Sequence, residues 1–214
     1  MKPSIAVIDY GLGNVRSVSK ALALAGGDAR VSSEIKQIEN ADGIVLPGVG
    51  AFGKGMDNLE KAGLIPIIRS RIEAGKPFLG ICLGLQMLFS VSEEHGSSRG
   101  MDIIKGEVKL FKNDLKIPHM GWNRVKFKNR QEGGGGIFEG ISDGSYFYFV
   151  HSYYCQASEE KIIRGSTDYG INFTSVIEDK NIFGVQFHPE KSGENGLKLL
   201  KNFVDIVYAN NTGN

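Results

Sequence analysis

Residues 77–90 read Pro77-Phe78-Leu79-Gly80-Ile81-Cys82-Leu83-Gly84-Leu85-Gln86-Met87-Leu88-Phe89-Ser90. An apolar run over 77–81 passes directly into helix-forming residues from Leu83 to Ser90, with Cys82 at the junction. A strand apolar at every position is buried on both faces, the condition of a central strand in a parallel sheet covered by helices. Gly-x-Cys-x-Gly at such a junction has the form of a nucleophile elbow with Cys in place of Ser. The flanking glycines let a sharp, strained turn lift the side chain out of the sheet without Cβ clashes. A thiol there faces a helix N-terminus, which favours the thiolate. The N–H of Leu83 is left without an intrahelical partner and can aim at an oxyanion. The plain alternative is a buried structural cysteine, as most free cysteines are.

Working outward, Ser4-Ile5-Ala6-Val7-Ile8 is a second apolar run, ended by Asp9-Tyr10-Gly11-Leu12-Gly13-Asn14. Val15, Val18, Leu22 and Ala25 then recur at helical spacing up to Gly26-Gly27. Gly43-Ile44-Val45-Leu46 reads as a buried strand that breaks at Pro47-Gly48-Val49-Gly50, and a helix is expected over 66–74. After residue 100 the pattern changes. Strands are expected near 103–110, 122–128, 146–150, 162–167, 173–178 and 182–187, several of them antiparallel. Gly133–Gly136 reads as a flexible hairpin tip, and Leu197, Leu200, Phe203, Val204 and Val207 give the apolar face of a C-terminal helix. The expected fold class is α/β: a mostly parallel central sheet flanked by helices, with an antiparallel second half, in a single domain over residues 1–214.

Composition excludes several classes. The chain has 214 residues, 41% hydrophobic and 23% charged, with a formal net charge of +1. A disordered chain has fewer apolar residues or more net charge. Near-neutral charge gives no general attraction to nucleic acid or anionic membrane. Cys82 and Cys155 are the only cysteines, too few for a disulfide framework and not a Cys-x-x-Cys pair. The N-terminus lacks the apolar core and cleavage site of a signal peptide. The longest apolar stretch, Phe78 to Phe89, is interrupted by Gln86 and falls short of the roughly 18 to 20 residues that span a bilayer. A soluble, cytoplasmic protein with no membrane and no nucleic-acid partner is expected.

A thiolate needs a base. Of His95, His119, His151 and His188, the last ends an apolar run in Gly184-Val185-Gln186-Phe187-His188-Pro189-Glu190-Lys191-Ser192. Pro189 holds His188 extended, and in an extended stretch residues i and i+2 share a face, which brings Glu190 to the imidazole. Its carboxylate would fix the tautomer, as the third member of a triad does. Cys82, His188 and Glu190 are therefore the leading catalytic constellation. A surface histidine at a strand end is the alternative for His188 alone.

Metal binding is not supported, since one elbow Cys with scattered His gives no closed ligand set, and no cofactor is called for. Gly48-Val49-Gly50-Ala51-Phe52-Gly53 matches a GxGxxG form but lacks the acidic residue about 20 positions on. It reads instead as a glycine loop offering N–H groups to an anion or oxyanion. Gln86 could bond a polar substrate or cap the elbow helix. Glu94 could pair with a ligand ammonium or be a solvated acid. His151 reads as a satisfied core histidine, Cys155 as packing, and Trp122 as an interface residue if exposed.

Gly80-Ile81-Cys82-Leu83-Gly84-Leu85-Gln86 together with His188-Pro189-Glu190 resembles the class I, triad-type glutamine amidotransferases. Asp9-Tyr10-Gly11-Leu12-Gly13-Asn14, Leu46-Pro47-Gly48-Val49-Gly50-Ala51-Phe52, His119-Met120-Gly121-Trp122-Asn123 and Tyr148-Phe149-Val150-His151-Ser152-Tyr153 narrow the likeness to the glutaminase subunits of imidazole glycerol phosphate synthases. With Gln186-Phe187-His188-Pro189-Glu190-Lys191-Ser192 it covers residues 4–207. The Gly133–Gly136 run departs from the family's usual loop.

The resemblance implies a flavodoxin-like fold and hydrolysis of L-glutamine. It implies Cys82 as nucleophile, His188 as acid and base, and Glu190 as its orienting partner. The oxyanion would be held by backbone N–H groups of Leu83, Val49 and Gly50. Gly48, Gly50, Gln86, Glu94, Ser152 and Tyr153 would hold glutamine. It further implies docking on a (β/α)8-barrel cyclase as a heterodimer, through Asn14, Trp122, Asn123, Tyr148 and Lys191. A solvated lysine is the plain reading of Lys191. Three rivals stay open: a look-alike that feeds ammonia to a surface-sugar synthase, a DJ-1-like cysteine hydrolase, and a non-catalytic binding subunit with an inert elbow.

Overall fold

The computed structural model of the protein describes residues 2–112, 114–128 and 136–213. In chain order they form β1 (Ser4–Ile8), α1 (Val15–Leu24), β2 (Asp28–Ser32), α2 (Ile35–Glu39), β3 (Gly43–Gly48), α3 (Phe52–Lys61), α4 (Leu64–Glu73), β4 (Phe78–Cys82) and α5 (Leu83–Gln86). Next come β5 (Phe89–Ser92), β6 (Ser98–Arg99), β7 (Ile104–Leu110), β8 (His119–Arg124), β9 (Lys126–Phe127), β10 (Tyr146–His151) and β11 (Tyr153–Ala157). Last are β12 (Ile163–Asp168), β13 (Asn172–Asp179), β14 (Ile182–Val185) and α6 (Gly193–Thr212).

The large sheet runs β2-β1-β3-β4-β14-β13-β11-β7-β5-β6. Its first five strands pair in parallel; β14–β13, β13–β11 and β11–β7 are antiparallel. Strand β12 attaches to β13 and carries β9, while β8 and β10 form a separate antiparallel ribbon. The central strands β3, β4 and β14 are buried at every position, which explains their unbroken apolar sequence. One face of the sheet packs on Val18 and Leu22 of α1, on Leu200 and Phe203 of α6, and on Phe147 and Phe149 of the ribbon. The other packs on Ile38 of α2, Phe52 and Leu59 of α3, and Ile68 of α4. Among the described residues no helix is long and apolar enough to cross a membrane.

The Gly26-Gly27 stop is seen as a complete Schellman motif. Gly26 takes φ 103°, its N–H bonds Ala23 O at 3.1 Å, and the Gly27 N–H bonds Leu22 O at 3.0 Å. The helix expected from Leu83 to Ser90 is cut short. It ends at Gln86 and Phe89–Ser92 becomes strand β5, because residues 101–104 return to bond the Met87, Leu88 and Phe89 backbone carbonyls. Gly100 permits this return, since a Cβ there would lie 2.1 Å from Phe89 O. Tertiary pairing thus overrides helix propensity.

The single strand expected at 122–128 is divided. Its first part belongs to β8 in the ribbon, and beyond buried Val125 the chain crosses to β9 in the large sheet. The ladder of the run at 182–187 closes at Val185. Strand β2, helices α2 and α3, and strands β5, β6 and β11 had no sequence expectation. Helix α3 begins inside what read as a glycine loop. Of the expected Gly133–Gly136 hairpin tip, residues 133–135 lie outside the described residues.

Candidate active site

Cys82 ends β4 with φ 53° and ψ −108°, a region a non-glycine residue occupies only under strain. The strain falls on Cys82 itself, while the glycines around it make room. A Cβ on Gly84 would sit 1.7 Å from Leu46 O of β3, and one on Gly80 would sit 2.9 Å from the Gly84 carbonyl. One on Gly48 would lie 2.4 Å from Tyr10 Oη and 2.8 Å from Leu83 Cβ. Strand β3, strand β4 and the elbow therefore approach more closely than any side chain allows. Helix α5 is a single turn, so only its local N–H groups, and not a summed dipole, face the sulfur.

The His188 side chain is 2% exposed and that of Glu190 is 0% exposed, and His188 Nδ1 stands 2.9 Å from Glu190 Oε1. The geometry differs from the expected strand face. His188 is extended, but Pro189–Lys191 forms a 3-10 turn that folds the carboxylate back onto the ring. The His188 backbone is clamped from the ribbon: its N–H bonds Tyr148 O at 2.9 Å, and its carbonyl accepts from Ser192 Oγ at 2.6 Å. Burial opposes charge on His188, but the charge of the nearby Cys82 sulfur and then the Glu190 carboxylate outweigh it and push its pKa up to about 10. His188 Nε2, Glu190 Oε2 and Tyr10 Oη are three of the four buried side-chain N and O atoms without a hydrogen-bond partner among the described residues. Native interiors leave few such atoms unpaired, and their gathering beside one cysteine marks a site built for chemistry.

A cavity of about 370 Å³ opens over Cys82. Val49, Gly50, Leu83, Gln86, Glu94, Ser152 and Tyr153 all line it, while Gly48 is buried next to Leu83 beneath it. Pro118, Val150 and His151 line it too and had no such assignment from sequence. The Glu94 carboxylate accepts from the Phe52 N–H at the start of α3. Gln86 neither caps the elbow helix nor faces solvent; its NH2 group donates to Tyr153 O at 2.9 Å and to Gln186 Oε1 at 3.1 Å. Gln186, fully buried, places Nε2 3.6 Å from Cys82 Sγ. It escaped the sequence reading, although it stands two positions before His188 and so shares its face of an extended segment.

His151 and His119 form a buried pair. Tyr153 O can only accept, so His151 Nδ1, 2.8 Å away, carries the proton. His151 Nε2 then accepts from His119 Nδ1 at 3.0 Å, and His119 Nε2 accepts from Asn123 Nδ2 at 3.2 Å. Burial pushes the pKa of His119 down to about 4 and that of His151 to about 3, so both rings are neutral. Cys155 is fully buried and its thiol is pushed well up by burial, in keeping with packing.

Outside the cavity, Trp122 is 55% exposed, so the condition for an interface reading is met. Its ring meets Tyr148 edge-on at 6.2 Å, and exposed Lys191 places Nζ 5.8 Å from the Tyr148 centroid. Asn14 Nδ2 lies 3.4 Å from Glu190 Oε1, nearer the triad than a surface role requires. Among the described residues no group of His, Cys, Asp and Glu could hold a metal ion.

Residues 6–207 match the family model for class-I glutamine amidotransferases. The chain is 51% identical to "Imidazole glycerol phosphate synthase subunit HisH" of Moorella thermoacetica over all of both chains. It is 54% identical to the protein of the same name in Aquifex aeolicus, over 92% of this chain and 94% of that one. The solved structure of PurLQS from Thermotoga maritima superposes with a TM-score of 0.72 at 19% identity, over 96% of this chain and 99% of that one, a likeness of fold.

Proposed function

Because the chain belongs to the class-I glutamine amidotransferases, we propose that it hydrolyses L-glutamine as the glutaminase subunit of an imidazole glycerol phosphate synthase in histidine biosynthesis. Relatives 51% and 54% identical bear the name of that subunit. It acts in the cytoplasm as one amidotransferase domain over residues 1–214 and uses no cofactor. The observation that carries the reading is the cluster of Cys82, His188 and Glu190, buried and incompletely bonded, beneath one cavity.

The Cys82 thiolate attacks the side-chain amide carbon of glutamine, and the carbonyl electron pair moves to oxygen. Backbone N–H groups of Leu83, Val49 and Gly50 stabilise that oxyanion; losing one such donor typically costs about 3 to 4 kcal/mol. Protonated His188 then gives its proton to the departing nitrogen, and ammonia leaves a thioester. Neutral His188 takes a proton from water, the resulting hydroxide attacks, and glutamate departs as the C–S bond breaks. Glu190 holds the ring in the productive tautomer throughout. Glu94, Ser152 and Tyr153 bind the glutamine, and the pocket around it is completed by Gly48, Gly50 and Gln86.

Ammonia then passes to a (β/α)8-barrel cyclase subunit that makes imidazole glycerol phosphate and an aminoimidazole ribotide. Exposed Trp122 with Asn14, Asn123, Tyr148 and Lys191 forms the docking face. Glutamine hydrolysis measured with and without the cyclase subunit and its nucleotide ligand tests the assignment. Strong stimulation is expected. No stimulation, with Cys82 still alkylated by a glutamine analogue, would keep the chemistry and transfer the chain to a surface-sugar synthase. Cys82→Ala should abolish hydrolysis and leave cyclase binding intact; loss of binding as well would make the elbow structural.

A further inference from the structure

We propose that Gln186 is a further catalytic residue, donating a hydrogen bond from its side-chain amide to the Cys82 sulfur. The inference rests on the reading of Cys82 as nucleophile. Its strength lies in how completely the neighbouring groups determine which end of Gln186 faces the sulfur. Amide nitrogen and oxygen are told apart only by their partners, and the chain of partners here starts from a backbone carbonyl, whose polarity is beyond choice. Tyr153 O accepts, so Gln86 turns its NH2 toward it at 2.9 Å. The same NH2 reaches Gln186 Oε1 at 3.1 Å, which makes that atom an acceptor and sends the Gln186 NH2 to Cys82 Sγ at 3.6 Å. Gln186 is 0% exposed and Gln86 6%, so water does not compete for these groups. The Gln186 backbone is held as well, its N–H bonding Ser175 O at 2.9 Å.

A donor aimed at sulfur favours the charged form of the thiol. It acts twice in the cycle. Before attack it raises the fraction of Cys82 present as thiolate. When the second tetrahedral intermediate collapses, the electron pair of the breaking C–S bond returns to sulfur, and the same N–H stabilises the departing thiolate. His188 supplies charge and protons at the same sulfur; Gln186 supplies a fixed dipole that does not titrate.

The test is the pH profile of Cys82 alkylation by iodoacetamide in the full-length chain, with the label located by mass spectrometry. This reports thiol ionisation without glutamine binding, and a purely structural residue would not move it. Gln186→Met keeps the length and removes the donor. Its profile should move up by about one pH unit, which is the scale of one hydrogen bond to a charged group. Gln86→Leu, which leaves Gln186 in place but unanchored, should move it the same way by less. A Gln186→Met profile superimposable on that of the wild type overturns the proposal. If Gln186→Met fails to fold, an unshifted Gln86→Leu profile does so. Alkylation of the wild type by a glutamine analogue is the separate check on Cys82 as nucleophile. Its absence would defeat the functional reading while the iodoacetamide profiles still judge the contact.

Discussion

His188 Nδ1 and Glu190 Oε1 lie 2.9 Å apart, joined by a single 3-10 turn, with both side chains sealed from solvent. The pair is local in sequence, yet its setting is not. The turn is pinned by Ser192, whose hydroxyl receives the Tyr148 N–H at 3.0 Å and donates to the His188 carbonyl. A carboxylate so placed costs desolvation that its partners His188 and Asn14 offset.

Glu190→Gln keeps the shape and reverses the hydrogen-bond logic at Nδ1, since an amide NH2 directed at the ring selects the wrong tautomer. Glutamine turnover should fall on the order of 10³- to 10⁴-fold, as when a triad carboxylate is made an amide. Steady-state glutaminase assays check this, and a loss under tenfold would remove Glu190 from the catalytic set.

The histidines set opposite limbs of the stability profile. His188, raised to about 10, holds a proton that the unfolded chain releases above its ordinary value of about 6.5, so its contribution is full below about 6.5 and is lost as pH rises to about 10. His119 and His151, lowered to about 4 and about 3, refuse protons that the unfolded chain accepts, so stability drops as pH falls from about 6.5 toward those values. Each group contributes a slope of up to about 1.4 kcal/mol per pH unit. His119→Asn keeps a donor toward His151 and removes one titrating ring. Its urea-derived stability should therefore decline less steeply than that of the wild type between pH 6.5 and 4; equal slopes would refute the assignment.

Gly84→Ala places a methyl group 1.7 Å from Leu46 O, a backbone atom that no rotamer change can withdraw. The variant should lose more than about 3 kcal/mol, above the usual range for overpacking. At Gly50, by contrast, an added Cβ meets nothing within 4 Å but carries the strain of φ 100°, a cost of about 1 to 3 kcal/mol. Urea denaturation of the two variants compares close approach with backbone strain, and a milder loss at Gly84 would contradict this ranking.

Much of this was legible before the structure. Unbroken apolar runs at Ser4–Ile8, Gly43–Leu46 and Pro77–Ile81 are what full burial in a parallel sheet demands, and these runs became β1, β3 and β4. Cys82 at a strand-to-helix junction and the His188-Pro189-Glu190 run stood out because both are local features, and the structure sets His188 Nδ1 2.9 Å from Glu190 Oε1. What was not legible depended on distant partners. Gln186 and Gln86 have meaning only through each other and through Tyr153, some 67 residues from Gln86. Strand β5 was hidden because it follows directly on the helix-forming run Leu83–Leu88, and only the return of residues 101–104 separates the two. Strand β2, with much of its length partly or fully exposed at the sheet edge, lacks the apolar signature altogether.

The ribbon of β8 and β10 serves two readerships with one alternation. Its register sets His151 opposite His119 and Phe149 opposite Gly121, then Tyr148 opposite Trp122 and Tyr146 opposite Arg124. The first row is interior and holds the neutral histidine pair; the second is outward and aromatic. Because side chains alternate strictly, a change at Trp122 or Tyr146 alters what the surface offers while leaving the interior row untouched. A lineage can therefore alter this outward surface without disturbing the buried histidine pair. The same alternation disfavours a one-residue slip, which would exchange the two rows and turn Trp122 and Arg124 onto the interior face.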